Sequence, residues 1–148
     1  MSAIINNTTA QKQMREGIAK QICDRVECTT LLCLRDILEC SGVWSIHHSG
    51  IYFLYNKDYE LIYIGKIGFD GQSSLQKRMR EHKSDSWFNE VRYVRFRRFP
   101  QMGDKQLSVA ERLAIMYMEQ PIYNDKNTSV SGLNEFNWSS LFLSENDA

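Results

Sequence analysis

Ile18, Ile22 and Val26 recur every four residues, which is the spacing of one apolar stripe on a helix. Thr8 followed by Gln11 forms a capping-box pattern, so the spacing predicts a helix from Thr8 to about Val26, after a frayed polar start over residues 1–8. Leu31, Leu34 and Leu38 share one face of a second predicted helix, Leu31 to Glu39, started by Thr29 or Thr30 and ended by Gly42. The first 42 residues therefore read as a helical pair.

The period then changes. Gly50 to Tyr55 and Leu61 to Ile64 are apolar runs around the turn cluster Asn56-Lys57-Asp58, a pattern that predicts an antiparallel hairpin with a loop longer than two residues. Ser73 or Ser74 can cap a helix through about Lys83, with Leu75, Arg78, Met79 and His82 on one face. Val91 to Phe99 reads as a third strand, with Val94 and Phe96 on one side and Tyr93, Arg95, Arg97 and Phe99 on the other. Gln101 to Gln106 reads as a loop, and Ser108 as the cap of a last helix running to about Glu119 before Pro121. Asp125 to Ala148 is polar apart from Phe136, Trp138, Leu141, Phe142 and Leu143, through which a tail is expected to pack on the core.

Composition adds little until it is localised. The 148 residues are 43% hydrophobic, which is enough to bury a core without staples. No apolar run reaches the ~20 residues of a membrane span, and no leader-like segment opens the sequence, so no membrane partner is expected. Cys23, Cys28, Cys33 and Cys40 match no zinc spacing, and reduced thiols in a cytoplasmic protein are the expectation.

The formal net charge is zero. Residues 66–105, however, hold ten basic and five acidic residues, and residues 106–148 hold two basic and six acidic. A basic central block interleaved with Tyr, Trp and Phe suits phosphate contact, although a solvated helix and strand face would look the same.

The most informative residues are Gly50-Ile51-Tyr52 and Tyr63-Ile64-Gly65, with ten residues between the two tyrosines. Lys66 follows directly; Leu75, Arg78 and His82 lie on the next helix; Glu111 lies on a later one; and Pro121-Ile122-Tyr123-Asn124 closes the stretch ten residues after Glu111. In this order the segment resembles the GIY-YIG nuclease family over about residues 49–125. The resemblance implies an α/β sandwich in which a small, mainly antiparallel three-stranded sheet is flanked by helices. The domain reading is then an N-terminal helical extension over 1–48, a nuclease-like core over 49–125 and a C-terminal tail over 126–148.

The resemblance further implies a metal-dependent endonuclease that hydrolyses DNA phosphodiesters with a single metal ion. Tyr52 would be the general base, with Tyr63 positioning water or base. Lys66 would favour the phenolate, and Arg78 would clamp the phosphate through its planar fork. His82 would orient a tyrosine or touch phosphate. Glu111 would hold one divalent ion, Mg²⁺ or alternatively Mn²⁺. Lys77, Arg80, Lys83, Arg95, Arg97 and Asn124 are the candidates for nucleic-acid contact, with DNA the expected partner and RNA also open.

Each residue taken singly has an ordinary explanation: glycines bound strands, tyrosines fill strands, and Glu111 could be a first-turn acid favoured by the helix dipole. Joint occurrence favours the catalytic reading. The alternative is a non-catalytic nucleic-acid-binding module, or a complex subunit, on the same fold. The helical pair is expected to pack on the core and to supply some homodimer contact.

Overall fold

The computed structural model describes residues 2–39, 42–68 and 71–124, with side chains from residue 9 onward. In chain order the elements are α1 (Ser2–Glu27), β1 (Leu32–Cys33), α2 (Leu34–Glu39), β2 (Gly50–Tyr55), β3 (Leu61–Ile67), α3 (Leu75–Glu81), β4 (Tyr93–Arg98) and α4 (Asp104–Tyr117). Short 3₁₀ turns cover Val43–Ser45, His82–Ser84 and Phe88–Glu90. Among the described residues, no helix is long and apolar enough to cross a membrane.

The sheet has four antiparallel strands in the order β1-β4-β2-β3, one more than expected. The added strand is β1, where Leu32 pairs with Val94 and Cys33 with Tyr93. It takes the first residues of the predicted Leu31–Glu39 helix. The Leu34 amide donates to the Arg92 carbonyl at 2.9 Å, and α2 begins only there. Pairing along β4 satisfies backbone groups of Leu32 and Cys33 that would otherwise lie in the first helical turn.

Strand alternation divides the core into two layers. Ile51, Phe53 and Tyr55 face α1 and α4, where they meet Ile18, Ile22, Val26, Leu113 and Ala114. Tyr52 and Leu54 face α2 and α3, where they meet Ile37, Leu75, Met79, Val94 and Phe96. Burying each of these large side chains contributes roughly 1.5–3 kcal/mol before entropy is counted. The expected helical pair is not a pair: α1 contributes to one layer and α2 to the other, with β1 between them. The predicted stripe of α1 is buried, but the helix starts at Ser2 rather than after Thr8. Residues 2–10 contain no Gly or Pro to break it.

The loop Asn56–Glu60 is tied by its own asparagine, whose side-chain oxygen accepts from the Asp58 and Glu60 amides at 2.9 and 3.0 Å. Ser74 caps α3 as expected, its hydroxyl accepting from the Lys77 amide at 3.1 Å. The last helix begins earlier than predicted. Gly103 is its N-cap, and the Gln106 side chain accepts from the Gly103 amide at 2.8 Å. Ser108 therefore lies inside α4, and Glu111 sits about two turns in rather than in the first turn. After Tyr117 the chain turns through two successive left-handed residues, Glu119 (φ 59°) and Gln120 (φ 54°), before Pro121. This loose turn accommodates the ten-residue spacing from Glu111 to Pro121. The expected tail over 126–148 lies outside the described residues.

Candidate functional site

Tyr52 sits on the central strand β2 with its side chain on the α3 face, and it is 1% exposed. Its cross-strand partner on β3 is Gly65, and the absence of a β-carbon there leaves room for the phenol ring. Gly50 serves a similar need, since a β-carbon on it would collide with the Arg97 carbonyl of β4. The two motif glycines are thus fixed by close approach within the sheet, not by turns.

The Tyr52 hydroxyl lies 2.6 Å from Nε2 of His82, at the C-terminal end of α3. The other ring nitrogen of His82, Nδ1, lies 2.7 Å from Oδ2 of Asp85. With the carboxylate accepting from Nδ1–H, Nε2 remains the acceptor for the phenol proton. Tyr63 of β3 packs at the same place, its ring centroid 6.2 Å from that of Tyr52 and 5.1 Å from that of His82. On its far side Tyr63 stacks on Trp87 at 4.8 Å, and Trp87 stacks on Tyr123 at 5.3 Å.

Burial pushes the Tyr52 phenol well above its ordinary range, and the nearby Tyr63 adds to this; Arg78 opposes, while Glu111 and Asp85 push it further up. Tyr63 is raised by burial, then by Glu111 and Asp85, again against Arg78. Neither phenol ionises readily unaided. The hydrogen-bonded His82 is the group able to take the Tyr52 proton.

Arg78 lies on α3 one turn before His82. Its Nε is buried without a hydrogen-bond partner, and its head makes only a 3.5 Å contact with Glu81. The buried Nε is left as a donor open to an added partner, on a side chain that is 33% exposed and paired with Glu81. Glu111 faces the same region from α4. Burial raises its carboxyl above the usual range, while Lys66, Arg78 and Arg112 pull it back. Among the described residues no group of three or more His, Cys, Asp or Glu could hold a metal ion. A single half-buried carboxylate still fits a hard cation such as Mg²⁺, which takes most of its ligands from water and phosphate oxygens.

Of the six residues expected to carry chemistry, Tyr52, Tyr63, Arg78, His82 and Glu111 are linked by contact or charge, whereas Lys66 pairs with Ile51 across the strands, so its side chain leaves the sheet on the face opposite Tyr52 and its charge acts on Glu111. The expected nucleic-acid residues are more scattered. Arg95 lies on the opposite face of the sheet, over the Tyr55 ring at 5.9 Å and donating to the Thr29 carbonyl. Arg97 pairs with Ile51 across the strands, so it also faces away from Tyr52. Asn124 is buried, and its amide is committed to Ile64, accepting from the backbone N–H at 2.9 Å and donating to the carbonyl at 2.8 Å. Arg80 and Lys83 line a separate cleft behind α3. Lys77 is exposed on α3.

Sequence reasoning missed Asp85 and Trp87. The signal for Asp85 was its position three residues after His82; for Trp87 it was only an aromatic in a polar loop. Comparison with protein-family models, curated proteins and solved structures finds no match for this chain.

Proposed function

We propose that this chain is a metal-dependent endonuclease of the GIY-YIG type that hydrolyses DNA phosphodiester bonds. The observation that carries the reading is the hydrogen-bonded line from buried Tyr52 and His82 out to the partly exposed Asp85, with hydrogen bonds of 2.6 and 2.7 Å, flanked by Tyr63, Arg78 and Glu111. Hydrolysis needs a base for water, charge relief on the phosphoryl oxygens and help for the leaving oxygen. Tyr52 passes its proton to Nε2 of His82 and takes one from the attacking water. Asp85 holds the imidazole in the accepting tautomer and offsets the charge it gains. Tyr63 holds the water against Tyr52. Arg78 binds a phosphoryl oxygen, which gives its open Nε donor a partner. Glu111 would hold the divalent ion, which when bound stabilises charge on the leaving oxygen. Lys66 keeps Glu111 closer to ionised than burial alone allows. An intracellular setting with reduced cysteines fits this reading.

The test is cleavage of duplex, nicked, branched and single-stranded DNA with Mg²⁺, comparing the wild type with Arg78→Ala and Glu111→Gln. Each variant should lose on the order of 100-fold or more. A wild type that cuts no better than either variant on any substrate sinks the proposal. Binding with a steep salt slope but no cutting would move the chain to a non-catalytic nucleic-acid module.

A further inference from the structure

The two tyrosines of the site are held in different ways. Tyr52 is fixed by the bond from its hydroxyl to His82. Among the described residues no hydrogen bond orients the Tyr63 hydroxyl, and ring contacts set the place of its side chain. Tyr63 is half-buried on the edge strand β3, with Tyr52 and His82 on one side. On the other side lies the indole of Trp87, stacked at 4.8 Å and 28°. Trp87 is backed in turn by Tyr123, parallel to it within 6°, and the Tyr123 hydroxyl donates to Glu90. The row of rings therefore has an anchored far end, and Tyr63 cannot swing away from Tyr52 without breaking its stack on Trp87.

The segment that carries Trp87 is itself ordered. Between α3 and β4 its turns are closed by the Asp85, Phe88 and Glu90 amides, which donate to the His82, Asp85 and Trp87 carbonyls at 2.8, 3.1 and 3.0 Å. Phe88 pins the segment into the core. Asp85 meets His82 from here, and Trp87, two residues on, meets Tyr63. One short connection thus reaches both tyrosines, the first through a histidine and the second by stacking. We propose that Trp87 is the positioning residue for Tyr63: its indole, braced by Tyr123, holds the phenol beside Tyr52 so that both act on one water. The proposal rests on the nuclease reading and gives it a residue that acts through Tyr63 rather than on the substrate.

The test is cleavage kinetics of the full chain with Mg²⁺, on whichever DNA the wild type cuts best. Trp87→Ala should lower kcat by roughly 100-fold, the effect of misplacing a reacting group by about 1 Å, with KM unchanged. Trp87→Phe still stacks and should recover most of the loss, whereas Trp87→Leu, apolar but unable to stack, should not. In a Tyr63→Phe background Trp87→Ala should cost little more, because the hydroxyl it positions is gone. Three results overturn the proposal: wild-type kcat in Trp87→Leu, an equal loss from Trp87→Ala in the Tyr63→Phe background, or a loss confined to KM. The last would make Trp87 a stacking surface for a base. A measurement without DNA or metal separates this proposal from the nuclease reading. Burial, then Glu111 and Asp85, raises the Tyr63 phenol. Followed by NMR of ¹³Cζ-labelled tyrosine, Tyr63 should titrate lower in Trp87→Ala, toward the ordinary phenol range, and as in the wild type in Trp87→Phe. An unchanged titration in Trp87→Ala overturns the positioning role. If the titration moves as expected and the wild type cuts no DNA, it is the nuclease reading that falls.

Discussion

A β-carbon added to Gly65 would lie 2.3 Å from both Cζ and the hydroxyl oxygen of Tyr52. The ring has little room to retreat, because its hydroxyl is bonded to His82 and its body is packed in the core. Gly65→Ala should therefore both destabilise and inactivate the protein. The expected cost is about 1–3 kcal/mol of overpacking, read as a lower urea midpoint. Retention of full stability and activity would mean that Tyr52 is not held where it lies.

The Nε of Arg78 is a buried donor without a hydrogen-bond partner. Replacing the arginine by Met keeps most of the volume and removes that donor. Without nucleic acid or metal, Arg78→Met should match the wild type or exceed it by about 1 kcal/mol in urea unfolding, while losing cleavage. A strongly destabilised variant would show that the arginine serves the fold rather than a ligand.

Glu111 gives a pH test with a definite sign. Its folded pKa lies above its unfolded one, mainly through burial. The folded state thus binds the proton more tightly, and stability falls as pH rises from the ordinary glutamate range through the higher folded value. Glu111→Gln should be more stable than the wild type at pH 7, and the difference should shrink as pH falls from the raised folded value toward about 4.5 and be lost below it. Mg²⁺ should raise the Tm of the wild type and not that of the variant. Equal pH profiles for the two proteins would contradict the assignment.

Cys23 is buried between α1 and α4, and burial pushes its thiol up to about 12. At pH 8 its thiolate fraction is roughly one in ten thousand. Cys28 and Cys33 are exposed and should react with a thiol reagent in the native protein, whereas Cys23 should react only on unfolding. Rapid native labelling of Cys23 would show that α1 detaches from α4.

The hairpin and the residues that converge on it were legible because their signals are local: alternation along β2, a capping serine before α3, and one helical turn from Arg78 to His82. Three features were hidden because they are settled by competition between distant segments. Leu32 and Cys33 sit in a leucine run with helical spacing, and only their pairing to β4 turns them into a strand. Gly103 caps α4 without a side-chain signal, whereas Ser108, which looks like a cap, lies inside the helix. Alternation separated Arg95 and Arg97 from Val94 correctly, but nothing along β4 indicates which face meets α3. Asp85 escaped notice because it follows the helix end, where a bend brings it back to the histidine.

The pairing of Asn124 with Ile64 has a consequence for assembly. With the Tyr123 amide also donating to the Ile62 carbonyl, the outer margin of β3 meets residues 123 and 124 rather than water. The opposite margin is the two-residue β1, too short to template a partner. Both borders of the sheet are thereby blunted against recruiting a strand from another molecule, so self-association or fibre growth by sheet extension is disfavoured.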